Sequence, residues 1–148
     1  MQVRDIMTKN PACAMPSDSL QSVAQKMIDC NCGLLPVVDS SMDNKLIGVI
    51  TDRDIVCRVV AKGANCGVAT VQDAMTTEKL WLVKPDDTVD TVIDDMEKGH
   101  IRRVPVVDDN RKVLGVVALA DIAKTVDVGD KVAEVIIEVS QPTNIPRA

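Results

Sequence analysis

The sequence predicts an α+β fold in which a strand, helix, strand, strand, helix unit occurs twice. The first observation is an internal repeat, because residues 16–56 and 85–123 are similar in sequence. Each copy contains PVVD followed by a G-hydrophobic-hydrophobic-x-x-x-D-I segment. The second is that each copy changes from helical to strand periodicity at the same place. A unit that recurs over most of a chain usually folds as paired copies that share an apolar face. We therefore expect a functional site at the seam between the copies.

The first predicted helix of each copy carries one apolar stripe. In the first copy the stripe consists of Leu20, Val23, Ala24, Met27 and Ile28, and the second copy repeats this pattern from Val89 to Met96. This spacing of i, i+3, i+4, i+7 is typical of a helix with one buried face. Short polar side chains are expected to cap the start of each helix, and glycine its end. The predicted caps are Ser17, Asp18, Asp86 and Asp87 at the starts, and Gly33 and Gly99 at the ends.

The remaining elements follow from short apolar runs. Two such runs joined by a polar turn predict a hairpin in each copy, and the apolar residues that follow predict a second helix. The predicted strands are 34–38 and 46–50, then 104–107 and 113–117; brief strands at 12–14 and 80–83 precede the first helices, and the second helices span 52–61 and 119–126. A second, shorter repeat precedes each copy, VRDIMT at 3–8 and VQDAMT at 71–76. We call these two stretches the echo segments.

These patterns divide the chain into four parts. We expect repeat 1 at residues 1–62, a linker at 63–70, repeat 2 at 71–127, and a C-terminal helix and tail at 128–148. The C-terminal helix is predicted over Asp130–Val139, and the last eight residues, QPTNIPRA, are expected to be loose. One face of this helix carries Val132, Val135, Ile136 and Val139, and this stripe must cover either the same chain or another.

Composition excludes several functions. The net charge of -5, with basic residues interleaved among acids, argues against nucleic-acid binding. The sequence has no apolar run of roughly 20 residues and no export signal, so we expect a cytoplasmic protein without a membrane partner. The five cysteines are then expected to be reduced thiols and not a disulfide framework. Since neither a catalytic triad spacing nor a P-loop is evident, we do not expect an enzyme.

The paired PVVD and G-hydrophobic-hydrophobic-x-x-x-D-I segments resemble those of the cystathionine-β-synthase (CBS) domain family in its tandem form, the Bateman module. The resemblance covers almost the whole chain and is greatest to stand-alone bacterial CBS-pair proteins, including hypoxia-response types. It implies that the two repeats pack sheet to sheet about a pseudo-twofold axis. It also implies two clefts that often hold adenine nucleotides, and modules that pair into dimers.

The resemblance implies that one cleft is the better ligand site. In the family, the aspartate of the G-hydrophobic-hydrophobic-x-x-x-D-I segment holds ribose, and a Ser or Thr three residues earlier contacts phosphate; Asp54 and Thr51 match these positions. The pseudo-twofold axis would place a basic segment opposite Asp54, and guanidinium groups pair well with phosphate. This segment contributes His100, Arg102 and Arg103, of which Arg103 is the better candidate to point into the cleft.

Both clefts also need an apolar slot for a base. The slot of the first cleft is expected to draw on Val49, Ile50, Thr76, Leu80 and Trp81. The second, weaker cleft would use Asp121 with Thr8, Pro11 and Ala12. Ala118 stands where the first copy has the hydroxyl residue Thr51, and the facing residues 31–34 include no cationic side chain. Asp54 and Arg103 should border an open cleft, so replacing either with alanine is expected to leave the melting point of the ligand-free protein nearly unchanged.

The sequence thus predicts a regulatory adenine-nucleotide sensor that acts as a homodimer. The expected ligand is AMP, ADP or ATP, less favourably NAD or S-adenosylmethionine, with no required cofactor, no metal and an unknown protein target. Two alternatives stay open: a ligand-free dimerisation or partner-docking module, and a cysteine-based redox or metal sensor. Individual residues also have ordinary explanations, since a carboxylate is favourable at any helix N-terminus and Trp81 suits a core or a dimer surface.

Overall fold

The computed structural model describes residues 1–125 and 129–140, which fall into two compact units. The continuous unit is Pro11–Leu80, and the split unit combines Met1–Asn10 with the described residues from Trp81 onward. In chain order the elements are α1 (Val3–Ile6), β1 (Thr8–Lys9), α2 (Leu20–Cys30), β2 (Leu34–Val38), β3 (Leu46–Thr51), α3 (Asp52–Ile55), a π-helical turn (Val56–Val60), α4 (Val71–Ala74), α5 (Val89–Gly99), β4 (Arg103–Val107), β5 (Val113–Ala118), α6 (Leu119–Ala123) and α7 (Gly129–Ser140). The predicted α+β fold with two repeats and a C-terminal helix is confirmed.

Each unit is built around one antiparallel hairpin. In the continuous unit β2 pairs with β3, and in the split unit β4 pairs with β5, each hairpin with an irregularity near the end of its first strand. The predicted brief strands at 12–14 and 80–83 are reduced to single parallel bridges, Ala14 to Val37 and Val83 to Val106. Each contact is limited to one residue pair, which is too short for a strand.

The echo segments pair with the hairpin of the other copy. Thr8 of β1 lies opposite Val116 of β5 in the split unit, whereas Thr76 bridges to Val49 of β3 in the continuous unit. Val3 of α1 is likewise fully buried in the split unit's core. The compact units are therefore divided differently from the sequence repeats, whose boundaries remain predictions.

The aspartates of the two PVVD segments close the hairpin turns. Asp39 Oδ1 accepts hydrogen bonds from the backbone N–H groups of Ser40 and Lys45, at 2.8 and 3.1 Å. Asp108 Oδ1 does the same for Asn110 and Lys112, at 2.8 and 2.9 Å. Aspartate is favoured in turns because its side chain can bond the backbone a few residues ahead. These two aspartates therefore stabilise the hairpin turns.

The helix caps differ from the sequence prediction. Ser19 and Thr88 cap α2 and α5, because their side-chain oxygens accept from the backbone N–H groups three residues later. The predicted Asp18 and Asp87 instead accept from backbone N–H groups of the preceding turns, and Ser17 and Asp86 are not the capping residues.

The left-handed residues at the helix ends are also not the predicted glycines. They are Asn31 at φ 50° and His100 at φ 49°. Asparagine and histidine enter this region more readily than most residues, so the chain turns there without glycine. Gly99 is required for another reason: a Cβ at this position would lie 2.6 Å from Trp81 Nε1.

The C-terminal helix packs on the split unit's own core. Val132, Val135 and Val139 are buried in this core, and α7 contacts both α5 and α6. Ile136, predicted to share this buried stripe, is 49% exposed, because 3.6 residues per turn place it at the edge of the stripe, beside Val132. The three buried valines therefore give no reason to expect a partner chain, and this basis for the homodimer is corrected.

The second helices are shorter than predicted. The run expected over 52–61 is α3 followed by the π-helical turn, and the one expected over 119–126 ends at Ala123, with Val126 outside the described residues. The tail predicted to be loose, 141–148, also lies outside them. No helix in the described ranges is both long and apolar enough to cross a membrane.

One expectation about the cysteines is wrong. Cys30 and Cys32 form a disulfide, whereas Cys13, Cys57 and Cys66 are free thiols. The two cysteines flank the left-handed residue Asn31, and their Cα atoms lie 5.4 Å apart. This separation is within the range in which disulfides form.

Candidate functional site

The candidate site begins where β3 passes into α3. Thr51 is the N-cap of α3: its Oγ1 accepts from the Asp54 N–H at 3.1 Å, and its own N–H donates to Asp54 Oδ2 at 3.0 Å. This reciprocal pair is a capping box, which fixes the side chains of both residues. A hydroxyl that accepts one hydrogen bond can still donate its hydrogen, and a carboxylate has further lone pairs. We name these two residues the Thr51–Asp54 corner.

Asp54 is more enclosed than the sequence predicted. Asp54 is buried, with 8% of the residue exposed. A carboxylate so placed needs hydrogen-bond donors, and Thr51 N–H supplies one. Removing this side chain therefore loses a helix cap as well as a ligand group, so the expectation that Asp54→Ala leaves the ligand-free stability unchanged is corrected.

The alternation of β3 separates the residues predicted for the base slot. Val49 and Thr51 are half-buried on one face of the strand, while Ile50 is fully buried in the core on the other. Successive side chains of a strand point to opposite faces. Val49 therefore shares the face of the Thr51–Asp54 corner, and Ile50 packs in the core.

Thr76 lies along the outer edge of β3. The Val49 N–H donates to Thr76 O at 3.0 Å, and the Thr76 N–H donates to Val49 O at 2.8 Å. Gly48 allows this approach, since a Cβ there would lie 2.6 Å from Thr76 O. Gly115 allows the same approach in the second copy, since a Cβ there would lie 2.7 Å from Thr8 O. In both G-hydrophobic-hydrophobic segments, glycine is therefore needed to make room for the neighbouring backbone.

Arg58 also positions the Thr76 segment, and the sequence analysis missed it. Its Nη1 donates to the carbonyl oxygens of Ala74 and Met75, at 2.9 and 2.7 Å. These are the last residue of α4 and the residue after it. A lone arginine among the apolar residues of 55–60 is the signal that could have pointed to this role.

The predicted cationic segment belongs to the split unit. Arg103 begins β4, is half-buried, and lies opposite Ala118 of β5; Arg102 is exposed, and its carbonyl accepts from the Leu119 N–H at 2.8 Å. His100 Nδ1 lies 3.2 Å from Glu138 O of α7. The structure therefore brings these three residues together within one unit, which does not contain Asp54.

The remaining base-slot candidates fall in different units. Leu80 ends the continuous unit, half-buried, and Trp81 begins the described second segment of the split unit. Trp81 is half-buried and its indole packs against the end of α5 at Gly99. This contact gives Trp81 a packing role.

The equivalent residues of the second copy, Ala118 and Asp121, form a second corner, which has the carboxylate but no hydroxyl. The Ala118 N–H donates to Asp121 Oδ2 at 2.8 Å, as in the first corner, but alanine offers no side-chain oxygen to α6. Thr8, exposed on β1, pairs along β5 of the same unit. Pro11 and Ala12 lie in the continuous unit.

Residue types that commonly bind metal ions are not clustered in the described parts of the chain. Over residues 1–125 and 129–140, no group of three or more histidine, cysteine, aspartate or glutamate side chains is arranged to hold an ion. Cys30 and Cys32, the sequence's CxC pair, are joined to each other.

Two regions of the chain match one known domain family. The family model described as "CBS domain" matches residues 3–61 and 71–128. The chain belongs to the CBS domain family. It carries two CBS domains, as the resemblance predicted.

Two curated relatives match this chain over most of their own length. Uncharacterized protein YlbB of Bacillus subtilis is 35% identical over 144 residues, which is 97% of this chain and 94% of the relative. Hypoxic response protein 1 of Mycobacterium tuberculosis is 34% identical over 121 residues, 82% of each chain.

Solved CBS structures share the fold. The crystal structure of Hypoxic Response Protein I with two coordinated zinc ions has a TM-score of 0.75 at 31% identity, covering 85% of this chain and 99% of that one. The CBS domain pair of protein MJ0100, in complex with 5'-methylthioadenosine and S-adenosyl-L-methionine, has a TM-score of 0.74 at 35% identity, covering 84% of this chain and 94% of that one. The MJ0100 CBS pair, similar in sequence and fold to this chain, therefore binds adenosine-containing ligands.

Proposed function

We propose that this CBS pair is a regulatory module that binds an adenosine-containing ligand at the Thr51–Asp54 corner. The observation that carries the proposal is the capping box, which holds a hydroxyl and a carboxylate at the end of β3 with fixed orientation. The MJ0100 CBS pair, similar over most of its length, was crystallised with two adenosine-type ligands, which supports this ligand class. The module itself is proposed to be non-catalytic, with no required cofactor.

Each group of the corner suits one part of such a ligand. Asp54 can accept hydrogen bonds from the two vicinal hydroxyls of ribose, because a carboxylate offers about four lone-pair sites and Thr51 N–H uses one. The Thr51 hydroxyl can donate to a phosphate oxygen. Val49, on the same face of β3, and Thr76, at its edge, offer contacts to the base.

The phosphate side is proposed from the family resemblance. Arg103, with Arg102 and His100 beside it, matches the basic segment that nucleotide-binding members use. Guanidinium groups form charge-assisted hydrogen bonds with phosphate, so AMP, ADP or ATP would gain more from this segment than S-adenosylmethionine. We therefore propose AMP, ADP or ATP as the ligand, with NAD and S-adenosylmethionine less favoured.

Calorimetry on paired variants tests this assignment. The ligands are AMP, ADP, ATP, NAD, S-adenosylmethionine and adenosine, each titrated into the full chain. Asp54→Asn keeps an oxygen for the Thr51 N–H and loses the charge and one acceptor, so it isolates the ligand role from the cap. We expect it to weaken the best ligand at least tenfold, and the matched Asp121→Asn to weaken it less than threefold. The reverse order would place the ligand at the second corner.

A second candidate function is a dimerisation or partner-docking module that needs no ligand. Large apolar side chains are exposed in the continuous unit, with Ile28 72%, Val56 55% and Val60 52% accessible. These residues suit an interface with a second copy or with an unidentified protein target. If none of the six ligands binds, while the protein is dimeric, this second function is favoured.

A further inference from the structure

The Cys30–Cys32 pair lies at the end of α2, outside the groups assigned to the ligand. Cys30 is the last residue of the helix, and Asn31 adopts a left-handed conformation between the two cysteines. The turn is also held by the backbone, since the Cys32 N–H donates to Met27 O at 3.0 Å. Both the disulfide and the hydrogen bond therefore fix the same turn.

The two sulfur atoms differ in access. Cys30 is exposed, while Cys32 is half-buried and packs against the core of the continuous unit. A thiol reagent from solution therefore reaches Cys30 more easily. Among the three free cysteines, burial raises the pKa of the Cys13 thiol, which makes Cys13 less reactive than an exposed thiol.

A disulfide that closes so short a loop adds little to the stability of the whole fold. The stabilisation that a disulfide gives by restricting the unfolded chain grows with the length of the loop it closes. Here only Asn31 separates the two cysteines. Reversible thiol chemistry explains an exposed bridge of this kind better than chain stabilisation does.

A short path connects the bridge to the Thr51–Asp54 corner. Gly33, next to Cys32, accepts a hydrogen bond from the Asp52 N–H at 3.1 Å, and Asp52 is the first residue of α3. Leu34, the following residue, lies directly opposite Thr51 in the hairpin. The turn at Asn31 is thus joined, through Gly33 and Leu34, to the residues that begin α3.

We propose that Cys30 and Cys32 form a reversible redox site for dithiol reductants, and that their reduction loosens the Thr51–Asp54 corner. A reductant thiolate attacks Cys30 Sγ, the Cys30–Cys32 bond breaks, and Cys32 leaves as a thiolate that takes up a proton. The second thiol of the reductant then displaces Cys30, which is released and protonated. The protein gains two electrons and two protons, and the dithiol becomes a disulfide. The effect on ligand affinity rests on the proposed function, whereas the effect on the corner does not.

Thiol counting and hydrogen exchange test the two parts on the full chain. Air-oxidised protein should show three free thiols after denaturation without reductant, and all five after treatment with dithiothreitol. Amide exchange in residues 50–55 should be at least threefold faster in the reduced protein, while the hairpin 103–118 of the split unit serves as an internal control. Five thiols in the oxidised sample, or unchanged exchange at 50–55, would overturn the proposal.

Variants separate the roles of the two sulfurs. With glutathione disulfide, Cys32→Ser should form a mixed disulfide at Cys30 at least tenfold faster than Cys30→Ser does at Cys32. In both variants, amide exchange at residues 50–55 should be as fast as in the reduced protein and should not change with dithiothreitol. Cys66→Ser should behave as wild type. A dithiothreitol response that persists in both variants would contradict the assignment.

Ligand titration separates this proposal from the proposed function. AMP and S-adenosylmethionine, titrated into both redox forms, should bind the reduced form at least threefold more weakly. Equal affinities of the oxidised and reduced forms would overturn the claim that the redox state of Cys30 and Cys32 controls ligand binding. If neither probe binds either form, the proposed function fails, and hydrogen exchange alone decides whether reduction acts on the corner.

Discussion

Thr51 and Ala118 occupy equivalent N-cap positions, and their difference separates the two corners of the molecule. Both donate a backbone N–H to the aspartate three residues later, Asp54 or Asp121. Only Thr51 adds a side-chain oxygen that accepts the return hydrogen bond. A single side chain thus changes both the helix cap and the donor available to a ligand.

Restoring the missing hydroxyl should stabilise the fold. Ala118 has extended backbone angles, φ -102° and ψ 154°, which suit a β-branched residue. Ala118→Thr should complete the capping box of α6 and add about 1 kcal/mol of stability. We expect the melting temperature to rise by about 2 to 4 °C in calorimetry. Ala118→Val, which adds bulk without the hydroxyl, is the control, and an equal rise in both variants would show that the cap is not the cause.

Arg103 is predicted to discriminate ligands by phosphate. Arg103→Gln removes the guanidinium and keeps a polar side chain at the start of β4. If Arg103 pairs with phosphate, the variant should lose about tenfold in affinity for AMP, since a charge-assisted hydrogen bond is worth roughly 1.5 kcal/mol or more. Affinity for adenosine should change less than twofold. Equal losses for the two ligands in calorimetry would place Arg103 away from the phosphate.

Glycine decides how closely the elements of each unit approach one another. Gly48 and Gly115 allow the echo segments to lie against β3 and β5, and Gly99 allows Trp81 to lie against α5. In each case a Cβ would lie less than 3.0 Å from its neighbour. Close packing of this kind leaves no room for an added methyl group.

Adding a methyl group at Gly48 should loosen the Thr76 edge. The new Cβ would lie 2.6 Å from a backbone oxygen, which cannot rotate away as a side chain can. Gly48→Ala should cost about 1 to 3 kcal/mol, and the melting temperature should fall by about 2 to 12 °C. Gly67→Ala is the matched control, because its nearest neighbour is the Asn65 side chain at 3.2 Å. Similar melting temperatures for the two variants would contradict the close approach of Thr76.

The two faces of α7 should respond differently to truncation. Val135 is fully buried, whereas Ile137 is 61% exposed. Val135→Ala should lower the free energy of unfolding by roughly 2 kcal/mol, because it removes buried methyl groups and leaves a cavity. Ile137→Ala should stay within about 0.5 kcal/mol of wild type. Chemical denaturation measures both, and an inverted order would mean that α7 packs by its other face.

At the scale of the whole molecule, each echo segment belongs to the unit that contains the hairpin of the other copy. The first echo, with α1 and β1, joins the second hairpin, and the second echo, with α4, joins the first hairpin. Neither sequence repeat therefore contains all the strands of one unit. Isolated repeats would lack an edge segment, so the two copies are expected to fold only as one chain.

We predict that the protein is a homodimer in solution. The support is now the exposed apolar side chains, Val56 and Val60 on the π-helical turn with Ile28 on α2, and no longer the buried valines of α7. Light scattering at micromolar concentration should give twice the chain mass. Val60→Lys should shift the protein towards monomer, whereas the control Val68→Lys, at an exposed position in the predicted linker, should not. A monomeric wild-type protein would contradict this prediction.

The sequence by itself determined the elements and the family. The repeat of PVVD and of the G-hydrophobic-hydrophobic-x-x-x-D-I segment, with its periodicities, predicted both hairpins, the helices before them and α7, because these signals are local to each segment. The aspartates Asp54 and Asp121 were likewise placed at helix N-termini. Whether either binds a ligand stays a prediction.

Only the tertiary structure decided which segments belong together and which groups are buried. The pairing of Thr76 with Val49 joins residues far apart in the sequence, and nothing in the echo itself says which hairpin it will meet. The burial of Asp54 and of the α7 valines depends on neighbours supplied by other elements. The Cys30–Cys32 bridge spans a left-handed turn at Asn31, where the sequence suggested that glycine would end the helix. Packing, and not local propensity, settles such contacts, because their free energy comes from groups that the chain brings together only on folding.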